Sequence, residues 1–114
     1  MRLWIDDVRP APEGYMWALS VADAKHIIKN AESFLKRGDK VFWEGEIEHQ
    51  LPITLIDIDH DAGDYVHFGG DYIKLLDWLE ETGRSYPIRI HSMNVVGRMN
   101  MEAICHRNGW TIVK

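Results

Sequence analysis

Residues 55–71 read LIDIDHDAGDYVHFGGD, an apolar run that passes straight into five aspartates, two histidines and three glycines. Carboxylates a few ångströms apart disfavour each other's ionisation, so acid gathered this densely needs something to offset the repulsion. A bound cation, a shared proton, a helix N-terminus or plain solvation can each do so, and only the first two are chemistry at a site. A second acidic pair, Asp6 and Asp7, closes the run RLWIDD, and the block IHSMN at 90–94 brings His91, Ser92 and Asn94, with Arg98 one helical turn further on. Carboxylate oxygens suit a hard divalent cation such as Mg²⁺ or Mn²⁺. Imidazoles suit proton exchange near neutral pH, and a hydroxyl or guanidinium suits a phosphate oxygen. The chain has no helical H-x-x-x-H pair, which ranks a zinc hydrolase behind oxygen-ligated metal.

These residues need strand ends to bring them together. RLWID (2–6), ITLIDID (53–59) and PIRIH (87–91) are short apolar runs that each end in polar residues, and WTIVK (110–114) is a fourth. YMWALS (15–20) reads as a further strand, with the proline-rich RPAPEG standing where a helix would be expected. Three helical patterns alternate with them: 20–38 with Ser20 as N-cap and Gly38 as stop, 71–83 with Asp71 as cap, and 94–109 with Asn94 as cap and Gly109 as stop. KVFWEGEIEH (40–49) alternates on both sides of Glu44-Gly45 and reads as a small inserted hairpin within 37–51, with Trp43 as a candidate for base stacking. Strands alternating with helices predict an open, mostly parallel α/β sheet, whose ligands bind beyond the carboxyl ends of the strands. By that rule Asp6 and Asp7, then Asp59, His60 and Asp61, then His91, Ser92 and Asn94 converge on one crevice.

Composition narrows the partners. The chain's 114 residues suit one domain, 1–114, and 46% are apolar, as in ordinary globular proteins. Thirteen Lys and Arg against eighteen Asp and Glu leave a net charge of −5, with no local cluster of basic residues. Long duplex nucleic acid is therefore not expected as a partner, while a small phosphorylated ligand or a single-stranded RNA end is. The lone Cys105 sits in an apolar helical setting and reads as inert core. No run reaches the length of a membrane span, and acid arrives too early for a signal peptide, so a cytoplasmic location is expected.

The blocks LWIDDVRPAP, IDHDAG and IHSMNVVGRMNM, in that order across residues 2–101, resemble the cyclic-phosphate-processing receiver domains, a divergent branch of the response-regulator receivers. The resemblance implies a flavodoxin/receiver-like three-layer sandwich, here with its first helix reduced and its last helix missing. It implies that Asp6 and Asp7 hold a divalent cation with Asp59, which occupies the receiver phospho-acceptor position, and that Ser92 or His91 lies where receivers grip the phosphoryl group. Lys114 falls at the receiver lysine position. Val95 stands in place of the family's proline, and Ala62 and Ile58 flank the central motif in place of leucine.

The expected function is metal-assisted hydrolysis of a phosphate ester, in the first place a cyclic phosphate on a nucleotide or RNA end. Asp59 and Asp61 would orient the attacking water, His60 and His91 would exchange protons, and Ser92, Asn94 and Arg98 would bind phosphate. The rival reading is a non-catalytic receiver-like module, phosphorylated at Asp59 or binding a nucleotide signal. Asp57 reads equally as a site residue or a core acid, and His67 as a contact on a glycine-flanked loop that folds over a ligand. An edge strand at 110–114 left bare by the missing helix would invite a homodimer.

Overall fold

The computed structural model describes residues 1–37 and 52–114. The predicted hairpin, Trp43 and the helix stop at Gly38 lie outside the described residues. Four short strands, β1 (Arg2–Ile5), β2 (Tyr15–Ala18), β3 (Leu55–Ile58) and β4 (Ile88–Ile90), form one parallel sheet in the order β2-β1-β3-β4. Three helices accompany it: α1 (Val21–Arg37), α2 (Ile73–Glu81) and α3 (Val95–Asn108). This is the receiver-like α/β arrangement that the sequence predicts.

Strand order explains where the helices lie. The connections from β2 to β3 and from β3 to β4 both run in the same direction across the sheet, so right-handed crossovers put α1 and α2 on one face, and α3 packs beside α2. That face is the core: Leu3, Ile5, Ile56, Ile58 and Ile88 are fully buried beneath Val21, Ile28, Leu75, Leu79 and Met101. The β1–β2 connection runs the other way, and its helix would have covered the second face. A loop replaces it, and among the described residues no helix follows residue 108. Among the described residues the second face therefore carries no helix.

That open face holds the residues of opposite parity: Arg2, Trp4, Tyr15, Trp17, Asp57 and Arg89, brought together by the registers Arg2↔Tyr15, Trp4↔Trp17, Trp4↔Asp57 and Asp57↔Arg89. The sequence pattern places Trp4 and Trp17 in the core. Trp17 is instead 39% exposed, since no helix among the described residues covers this face. Arg2 lies over the Tyr15 ring at 4.5 Å, and Tyr15 meets Trp4 edge-on at 5.8 Å, so the aromatics partly cover one another.

Local details also depart from the sequence reading. Ser20 caps α1 as expected, its Oγ accepting from the Asp23 amide at 3.0 Å. Asp71 does not cap α2. Tyr72 holds the N-cap position, and the Asp71 carboxylate turns back to accept the Ala62 amide at 3.1 Å. The expected strand 110–114 shortens to one bridge, Ile88↔Ile112, because α3 ends on the left-handed Gly109 and Trp110 plugs the core directly afterwards. No helix among the described residues is long and apolar enough to cross a membrane.

Candidate functional site

Backbone bonds across the sheet align the strand ends. The Asp59 amide donates to Ile5 O at 2.9 Å, the His91 amide to Ile58 O at 3.0 Å, and the Asp6 amide to Ala18 O at 3.3 Å. The first residues beyond β1, β3 and β4 thus sit side by side, as the rule for open α/β sheets requires. Asp6, Asp7 and Asp59 each place a carboxylate oxygen within 4.8 Å of the others. Three hard oxygen donors converging at that spacing fit a divalent cation of the Mg²⁺ or Mn²⁺ type.

Electrostatics differ sharply along the cluster. Burial would raise the Asp6 carboxyl, but the Val8 and Arg9 amides, 2.9 and 3.0 Å from its Oδ1, together with His91 hold it below the ordinary value. Asp7 is pushed up, first by burial and then by the charges of Asp6, Asp59 and Asp64. The crowding that the sequence advertises therefore falls on Asp7. Gly63 faces this carboxylate: it adopts φ +55°, and a Cβ there would overlap the Asp7 side chain.

His91 does not stand free to exchange protons. Its Nδ1 lies 2.6 Å from Asp57 Oδ1 and its Nε2 2.9 Å from Asp6 Oδ2, and the ring stacks on Trp4 at 3.9 Å and 4°. Both ring nitrogens are thus engaged by carboxylates within the protein. Asp57 is fully buried, shares Tyr15 OH at 3.3 Å and Arg89 at 3.5 Å, and lies outside the acidic triad. Its role is to hold His91, which in turn holds Asp6.

His60 has the opposite setting. Its Nδ1 meets Asp61 Oδ1 at 2.8 Å, the Asn94 amide lies at the 3.5 Å limit, and Nε2 has no hydrogen-bond partner among the described residues. The ring packs on the first turn of α3, where a Cβ on Gly97 would sit 2.7 Å from Nε2. Asp61 is thus a partner of His60 and stands outside the acidic triad. Asn94 caps α3 as expected, accepting the Gly97 amide at 2.9 Å, and the buried Ser92 Oγ accepts the Asn94 amide at 3.1 Å.

Arg98 pairs through Nε with Glu102 at 3.4 Å, and with His91 and Lys114 it lines a groove along α3. Arg9 secures the loop after β1 by donating to His91 O at 3.2 Å. His67 is exposed, and its loop is tied down where Ala22 N donates to Phe68 O at 2.9 Å, which contradicts a flap free to close. Sequence reasoning missed Gly63 and Gly97, whose small size makes space for Asp7 and His60, and Tyr72. The Tyr72 hydroxyl is raised by burial and then by Asp7, Asp6 and Asp59, and it donates to Leu19 O at 2.8 Å. Glycines flanking an acidic motif were the one signal that could have pointed to them.

No curated protein and no solved structure matches the chain. The family model of the cyclic-phosphate processing receiver domain matches residues 1–107, nearly the whole chain, and the protein belongs to that family.

Proposed function

We propose that this cyclic-phosphate processing receiver domain hydrolyses a cyclic phosphate on a nucleotide or RNA end, using a divalent cation held by Asp6, Asp7 and Asp59. The observation that carries the reading is the setting of His60. A module that only accepts a phosphoryl group on Asp59 requires acids and a cation, and gains nothing from an imidazole fixed by Asp61 with Nε2 left over.

A cation at the triad supplies charge neutralisation at the phosphate and lowers the pKa of a water. Asp61 accepts from His60 Nδ1, so Nε2 is the basic nitrogen and takes the proton of the attacking water. The water oxygen bonds to phosphorus, one ester bond of the cyclic phosphate breaks, and the proton held on Nε2 passes to the departing sugar oxygen. The Ser92 oxygen already accepts from Asn94, which leaves its own proton for a phosphate oxygen. Asp57 and His91 hold Asp6 in place and touch no reacting atom.

The test is release of a monoester from 2′,3′-cyclic nucleotides in the presence of Mg²⁺ or Mn²⁺. His60→Ala should lower the rate by about two to four orders of magnitude, the scale for removing a positioned proton-transfer group. The same variant should keep the thermal stabilisation by metal. Incorporation of phosphate at Asp59 from acetyl phosphate, without cleavage, would favour the non-catalytic receiver instead.

A further inference from the structure

A groove of about 720 Å³ is lined by residues of β4, α3 and the segment 110–114, with His91 among them. Among the described residues its walls carry Arg89, His91, Arg98, His106 and Lys114, against one acid, Glu102. This is the reverse of the whole chain, whose net charge is −5. Arg98, Glu102 and His106 follow one another at four-residue spacing on α3, so they share one helical face, and Arg89 reaches the groove from the open face of the sheet. Arg98 pairs with Glu102 at 3.4 Å and Arg89 with Asp57 at 3.5 Å, but both guanidinium side chains are about half exposed and each keeps donors for a phosphate. Trp110 and Ile112 give the floor an apolar surface.

Size and continuity select the occupant. A single phosphate needs far less than this volume, which suits a ligand of about one or two nucleotides. His91 lines the groove and is bonded directly to Asp6 of the triad. A strand whose terminal phosphate lies at the triad would lay its preceding phosphates between Arg89 and Arg98, with a base against the apolar floor. The geometry points to the groove as a binding track for single-stranded nucleic acid leading away from the processed end. The choice of nucleic acid over another polyanion rests on the phosphate-ester reading above; the cationic groove stands without it.

The test is binding without catalysis. A short 5′-labelled oligoribonucleotide ending in a plain 3′-hydroxyl is titrated with the full chain in EDTA, and anisotropy is followed over a range of salt. The wild type should bind with an affinity that falls with salt. Arg98→Ala and Arg89→Gln should each weaken it several-fold and reduce the log–log salt slope by about 0.7, the single-strand value for one phosphate contact. Lys25→Ala, which removes the same charge from α1, where Lys25 lies 5.7 Å from the Trp78 ring and outside the groove lining, should bind as wild type. Equal weakening by Lys25→Ala, no loss in the arginine variants, or a mononucleotide that binds as tightly as the strand would each overturn the track. Because the probe lacks a cyclic phosphate and the metal is chelated, failure of the hydrolysis assay leaves this result intact. Absent strand binding alongside full cleavage would overturn the groove alone.

Discussion

His60 and His91 are the same residue type at neighbouring strand ends, and their partners give them different work. His91 spends both nitrogens on Asp57 and Asp6, so its replacement should act through the cation site: His91→Ala should weaken the stabilisation by Mg²⁺ about 10- to 100-fold in metal concentration, the scale for losing a group that orients a ligand. His60→Ala should leave that titration unmoved and slow turnover. Thermal unfolding across a metal series separates the two. Asp7 also gives a signed expectation. Its folded pKa is raised, so the native state keeps a proton that the unfolded chain has already released, and the stability it contributes falls as pH rises through the folded value. Asp6 is lowered and works in the other direction, its contribution lost as pH falls through its folded value. Asp7→Asn should therefore raise the melting temperature of the metal-free protein at neutral pH, and the gain should vanish below the ordinary aspartate value of 3.8, where both states are protonated.

Among the elements, α3 shows how a helix gives up stability to seat a side chain. Gly97 lies in its first turn and is buried, where alanine would gain about 1 kcal/mol of helix propensity. The methyl would overlap the His60 ring, and overpacking costs about 1–3 kcal/mol. Gly97→Ala is expected to lower stability modestly and to lower turnover more than that loss explains, which parallel denaturation and rate measurements would check. Asn94→Ala removes the cap bonded to the same residue and should cost about 1 kcal/mol. The helices were legible because apolar periodicity and caps such as Ser20, Asn94 and Gly109 are local signals. Asp71 misled because an aspartate before a helix suits both a cap and a loop brace, and only the position of Ala62 decides between them. The run 110–114 misled because β-propensity does not reveal that its partner, β4, spans three residues and meets it only at Ile88.

For the molecule as a whole, the acidic triad was legible in the sequence because strand ends in a parallel sheet meet at one edge, and Asp6, Asp7 and Asp59 each terminate an apolar run. The division of labour was not legible, since it depends on which nitrogen faces which carboxylate across residues 6, 57 and 91. Nor was the basic groove, whose arginines lie apart in sequence and meet only when α3 packs beside β4. Among the described residues the second sheet face carries no helix, because a loop joins β1 to β2 where this strand order would put one. Cys105 fits its sequence reading. Buried and pushed up to about 11 by desolvation and then by Glu102, it should resist alkylation at neutral pH until the protein unfolds.

The central claim is that Asp6, Asp7 and Asp59 with the oriented His60 make this receiver domain a hydrolase. The most direct measurement is chromatographic detection of the monoester formed from a 2′,3′-cyclic nucleotide by wild type, Asp59→Asn and His60→Ala, with Mg²⁺ and with EDTA. Product is expected from the wild type only when the metal is present, none from Asp59→Asn, and a rate lower by about two to four orders of magnitude in His60→Ala. Product formation undiminished in His60→Ala, or a wild type that forms no product yet takes up phosphate on Asp59 from acetyl phosphate, would contradict it.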